Sequence, residues 1–173
     1  MRAALMVIDF QNAVFTESPA GYQADVVMER IRKLIAKARA SGTQIIYIQH
    51  DEAGTEWALN GKGWAFPEAI APQAGDFVSP KNQCDGFFNT GLKAFLNEQG
   101  IQRLVICGFA TEFCVDTNVR HAASSGYPVT LAMDAHTTRD RAHLNAASII
   151  EHHNATWRNF GGIQLLNSEE IVF

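Results

Sequence analysis

Residues 103–126 read RLVICGFATEFCVDTNVRHAASSG. The apolar pattern changes period inside this stretch. Arg103–Cys107 is a short apolar run, the signature of a strand buried on both faces. Val115, Val119, Ala122 and Ala123 then recur at helical spacing, and Gly126 closes the segment. Pro128–Met133 comes next as a second apolar run. Strand, tight turn, helix and strand make a βαβ unit, whose right-handed crossover leaves the two strands parallel.

The same rhythm runs outward in both directions. Ala3–Ile8, Thr43–Gln49 and Ile163–Leu166 read as further buried strands. Val27, Ile31, Leu34, Ile35 and Ala38 mark a helix that Gly42 can end in the left-handed conformation. Leu92, Phe95 and Leu96 mark another, stopped near Gly100, and Leu144, Ala147 and Ile150 mark a last one. No repeat, low-complexity tract or polar linker divides the chain. The expectation is one domain over 1–173, a Rossmann-like three-layer α/β/α fold with a mostly parallel sheet. His50 to Gly75 breaks the rhythm as a long loop carrying Trp57, Trp64 and Phe66, a length that usually signals function, with packing over the sheet edge as the alternative.

Composition narrows the function. The 173 residues are 47% hydrophobic and 18% charged, ordinary for a globular chain. Fourteen basic against eighteen acidic residues give a net charge of −4, without a basic cluster, so nucleic acid is not an expected partner. No apolar run reaches the ~20 residues a bilayer crossing needs. Met1–Ile8 is too short for a signal peptide. Three cysteines without a CxxC pair suit free thiols in a reducing compartment, so the cytoplasm is expected. No phosphate-cradling glycine motif points to a nucleotide cofactor, and the six histidines show no paired zinc spacing. Asp134-Ala135-His136 reads as loop chemistry, with Asp134 as a loop cap, and His152-His153 as the cationic end of a helix. Neither a cofactor nor a metal is expected.

Ligands in open α/β sheets bind beyond the carboxyl ends of the strands. Asp9 closes the first strand, where a carboxylate either caps the loop or serves a site. Cys114 falls in the first turn of a helix, where free N–H groups and the helix dipole favour the thiolate. A small core thiol is the alternative there, and it is the better reading of Cys107. Cys84, in a loop, could be either. Lys81 follows Phe77–Ser79 and Pro80; taken alone it reads as a solvated surface lysine.

Taken in order, Asp9-Phe10-Gln11-Asn12, Pro80-Lys81, Phe87-Phe88-Asn89-Thr90-Gly91-Leu92, Gly108-Phe109-Ala110-Thr111-Glu112-Phe113-Cys114-Val115 and Asp134-Ala135 resemble the isochorismatase-like cysteine hydrolases. That group includes nicotinamidases, carbamoylsarcosine amidohydrolases and ureidoacrylate hydrolases. The resemblance implies a catalytic triad of Asp9, Lys81 and Cys114. It also implies a cis peptide between Phe109 and Ala110 and an oxyanion hole from the Ala110 and Cys114 N–H groups. A small-molecule substrate and a homo-oligomer, dimer or larger, are implied as well. Members lacking the cysteine hydrolyse a vinyl ether; its presence here favours a C–N bond. Nicotinamidases bind a metal through an Asp-x-His and a further histidine, whereas here His50-Asp51 has no second histidine before Lys81. The expected function is a metal-independent amidohydrolase. The alternatives are a thiol redox sensor or binding protein using the same pocket, and a vinyl ether hydrolase. Phe15, Trp57, Trp64, Phe66 and Phe109 are the expected apolar walls, suited to a planar or aromatic acyl group.

Overall fold

In a computed structural model describing residues 1–173, the first strand, β1 (Ala3–Ile8), is buried at all six positions. Its two faces serve different layers. Leu5 and Val7 join an apolar cluster with Val27, Ile31, Leu34 and Ala38 of α2 (Ala24–Ala40). Ala4, Met6 and Ile8 join a second cluster on the opposite face. That cluster includes Leu92 and Leu96 of α3 (Leu92–Glu98), Val119 and Ala122 of α4 (Asp116–Ser124), and Trp157 of α5 (Ala146–Trp157). A strand apolar at every position is thus the central layer of three, as its pattern predicts.

Six strands form one parallel sheet. Besides β1 they are β2 (Gln44–His50), β3 (Phe77–Lys81), β4 (Arg103–Phe109), β5 (Val129–Thr137) and β6 (Ile163–Leu166). Their order is β3-β2-β1-β4-β5-β6. The connections therefore reverse direction between β1 and β4, the switch point where doubly wound sheets open a crevice. Gly42 (φ +69°) ends α2 in the left-handed region, with Thr43 N–H returning to Ala38 O at 2.8 Å. A four-residue helix, α1 (Ala13–Thr16), comes after β1, and a 3₁₀ turn at Glu68–Ile70 is the one helical piece of the long loop.

Three expectations change. The short run ending in Lys81 is a true edge strand, where Pro80 is tolerated because its missing N–H costs no central ladder bond. His136 is not loop chemistry: β5 extends to Thr137 and buries it. The last helix presents Ala146, Ile149 and Trp157 to the core, while Leu144 precedes it and is exposed. Its start is set by Asn145, whose side chain accepts from Ser148 N–H at 2.8 Å.

Candidate active site

Asp9 is the first residue beyond β1, and its N–H bonds to Ile48 O of β2 at 2.9 Å. Its φ of +47° is unusual for a non-glycine residue and turns the carboxylate back over the sheet edge. Lys81 is the last residue of β3, where alternation buries Ser79 and Lys81 together. Cys114 lies in a single π-helical turn, Thr111–Val115, between β4 and α4. Such turns recur at functional sites. The Phe109–Ala110 peptide just before it is cis.

These three strand ends bring their side chains together. Lys81 Nζ is 2.7 Å from Asp9 Oδ2, 3.3 Å from Cys114 Sγ and 3.3 Å from His50 Nδ1. An ammonium has three protons, and here it has three partners. The Lys81 and Asp9 side chains are only 1% and 3% exposed. Burial pulls the Lys81 pKa down, but the Asp9 carboxylate and the Cys114 sulfur outweigh it and hold the ammonium above its usual range. Burial and the Lys81 cation push His50 the other way, towards the neutral form that can accept the lysine proton. Asp9 Oδ1 is buried without a hydrogen-bond partner, an open lone pair beside the thiol.

Behind the cysteine turn, Asn154 Nδ2 donates to Met133 O at 3.1 Å, which leaves its Oδ1 to accept from His136 Nε2 at 3.1 Å. His136 Nδ1 must then accept from the Thr111 hydroxyl at 2.9 Å. Burial pushes His136 down to about 4, so the ring is neutral and keeps this tautomer.

Asp9, Cys114, Ala110 and Phe109 open into a cleft of about 470 Å³. Trp57 stacks beside Phe109 with ring centroids 5.8 Å apart, so these two expected aromatics do form a wall. The other three do not reach the cleft. Phe66 packs edge-on against Tyr47, and Phe15 against Phe10. Trp64 is held through its carbonyl, which accepts from Gln11 Nε2 at 2.8 Å and Gln49 Nε2 at 3.0 Å. The long loop is thus drawn over the sheet edge by buried glutamines, and most of its aromatics go with it.

The lining also includes Cys84 and several residues not singled out from the sequence: Glu17, Asn82, Gln83, Phe113, Arg139 and Arg141. Arg139 pairs with Glu17 and lies 5.0 Å over the Phe109 ring; Arg141 pairs with Glu112 at 2.7 Å. The strand-end rule that selects Asp9 applies equally to Arg139, just past β5, and to His50, closing β2. Asp134 points away from the cleft. It accepts from Ser168 N–H at 2.7 Å and pairs with Arg30, so it pins the C-terminal turn instead of capping its own loop. No three His, Cys, Asp or Glu side chains gather in a way that could hold a metal ion.

Fold and site together define a three-layer α/β domain with a buried cysteine, carboxylate and lysine at the switch point of its sheet. The chain belongs to the isochorismatase family, whose domain pattern matches residues 3–157. It is 37% identical over 138 residues to a streptothricin hydrolase of Streptomyces noursei, a match covering 79% of this chain and 50% of that protein. It is 32% identical over 169 residues to a ureidoacrylate amidohydrolase of Agrobacterium fabrum, covering 76% of this chain and 74% of the relative. The chain thus spans about half the length of the streptothricin hydrolases it matches. An isochorismatase of Pseudomonas putida superposes with a TM-score of 0.93 at 30% identity, covering 99% of this chain and 90% of that one.

Proposed function

We propose that the protein is a metal-independent cysteine hydrolase that cleaves a C–N bond in a small non-peptide amide or carbamoyl compound. The observation that carries this reading is the buried Lys81 ammonium, shared between Asp9 and Cys114, which both line the cleft. Two similar proteins named for amide or streptothricin hydrolysis support it. Asp9 takes the Cys114 proton on its open Oδ1, and Lys81 stabilises the thiolate that results. The thiolate attacks the carbonyl carbon, and the Ala110 and Cys114 N–H groups receive the oxyanion. Losing one such donor costs about 10²–10³ in kcat. Protonated Asp9 then gives its proton to the departing nitrogen as the C–N bond breaks. The thioester left on Cys114 is hydrolysed by a water that Asp9 deprotonates.

The Trp57–Phe109 wall is a slot for a planar acyl group, and the ion-paired Arg139 and Arg141 among the lining residues make the cleft partly polar. We extend the reading to a homo-oligomer in the cytoplasm. Three free thiols fit that compartment, and exposed Leu59 and Phe88, in the groove adjoining the cleft, suit a subunit contact. Light scattering of the purified chain tests the assembly.

Ammonia release from a panel of amides, ureido acids and nicotinamide, by wild type and Cys114→Ala with and without EDTA, tests the chemistry. Release that vanishes in Cys114→Ala and ignores EDTA is the expected result. Loss with EDTA would overturn the metal-independent mechanism. Isochorismate turnover that survives Cys114→Ala would favour vinyl ether hydrolysis.

A further inference from the structure

Cys84 is the one cleft residue with nucleophilic chemistry that the hydrolytic steps leave unused. It is exposed, and it lines the cleft together with Cys114. One side chain clamps the two cysteines to each other: Asn118 Nδ2 donates to Cys84 O at 2.9 Å and to Cys114 O at 2.7 Å. Asn118 Oδ1 completes the clamp by accepting from Gly86 N–H at 2.8 Å. The third cysteine is excluded by place, since Cys107 is fully buried within β4.

We propose that Cys84 and Cys114 form a reversible oxidation site, at which a hydroperoxide converts the pair to a disulfide and switches the hydrolase off. The proposal rests on the assignment of Cys114 as nucleophile. In the first step the exposed Cys84 thiolate attacks a peroxide oxygen and the O–O bond breaks; Cys84 becomes a sulfenic acid, and the departing alkoxide or hydroxide takes a proton from solvent and leaves as alcohol or water. In the second, Asp9 takes the Cys114 proton, the Cys114 sulfur attacks the Cys84 sulfur, the S–O bond breaks as the S–S bond forms, and Asp9 returns the proton to the departing hydroxide, which leaves as water. Two thiols lose two electrons, and the peroxide gains them. A dithiol restores both cysteines by exchange.

The charge distribution suits this order. The Cys114 side chain and the Lys81 cation pull the Cys84 thiol down towards the thiolate, to about 6. The neighbouring Cys84 side chain, burial and the Asp9 carboxylate hold Cys114 above the usual thiol range. The exposed sulfur therefore meets the oxidant first, and the buried one waits as the resolving thiol.

The test treats wild type and Cys84→Ser with equal doses of hydrogen peroxide. Intact mass and ammonia release are read without any thiol block, before and after dithiothreitol, and a separate portion has its free thiols blocked for the peptide map. Wild type is expected to lose about two daltons, yield a Cys84–Cys114 cross-linked peptide and lose at least about tenfold in activity, all reversed by the dithiol. Cys84→Ser should form no cross-link and keep most of its own untreated activity. Separate oxidation of the two sulfurs without a cross-link would overturn the proposal, as would a cross-linked enzyme that still turns over. Should no amide prove to be a substrate, the mass and peptide map still decide whether the disulfide forms, so that failure stays distinct from this one.

Discussion

Lys81 shows how much of the site hangs on one side chain. Its ammonium is buried, and it neutralises the Asp9 carboxylate, which is buried too. Removing one partner of such a pair leaves an uncompensated charge and typically costs about 3–5 kcal/mol. Lys81→Met is therefore expected to lose stability of that order in urea denaturation. The double variant Asp9→Asn/Lys81→Met, with no buried charge left, should recover a substantial part of it. Neither variant should release ammonia, because the proposed mechanism makes thiolate stabilisation and the general base one unit. Additive stability losses would contradict the pairing. In the sequence, Lys81 looks like a surface residue because nothing local shows that its side chain, at the end of an edge strand, reaches past β2 to Asp9. Asp9 and Cys114 are visible from position, since each lies just past a strong apolar strand.

The β4–turn–α4 element carries Cys114, the proposed nucleophile, and its backbone is held by close packing against β1. Gly108 has φ +133°, and a Cβ there would collide with the backbone of Ile8. Gly42 also has positive φ, but a Cβ there meets nothing within 4 Å. Gly42→Ala should thus cost only the local strain of about 1–2 kcal/mol. Gly108→Ala forces β1 and β4 apart and should cost more than about 3 kcal/mol, near the upper tail for single substitutions. Chemical denaturation compares the two directly; equal losses would contradict the close approach. Strand runs made of apolar residues are legible almost to the residue, as in Ala3–Ile8. The end of β5 is not, because Asp134, His136 and Thr137 are polar. Each is satisfied from a distant element: by Ser168, by Thr111 and Asn154, and by Tyr22 O at 2.6 Å. Long-range pairing of this kind leaves no periodic trace in the chain. The shifted face of α5 has a local cause instead, since Asn145 caps the helix after Leu144.

Across the whole molecule, the buried neutral histidines make stability depend on pH. His136 has a native pKa of about 4 against 6.5 in the unfolded chain. As pH falls below 6.5 the unfolded state takes a proton that the native state refuses until about 4. Stability is therefore full above about pH 6.5 and declines between there and about 4, by roughly 3 kcal/mol from this group. His50, also held below its usual value, acts in the same direction. Urea midpoints near neutral pH and in mild acid should separate clearly in wild type, and His136→Gln should reduce that separation. An unchanged pH slope in the variant would contradict the neutral buried ring.

The central claim is a covalent acyl group on Cys114. It is tested most directly by mass spectrometry on wild type quenched in acid during turnover of the best amide. The account predicts the acyl group on the peptide containing Cys114, removable by hydroxylamine as a thioester is. An acyl group on another side chain, or undiminished turnover by Cys114→Ala in the same experiment, would contradict it.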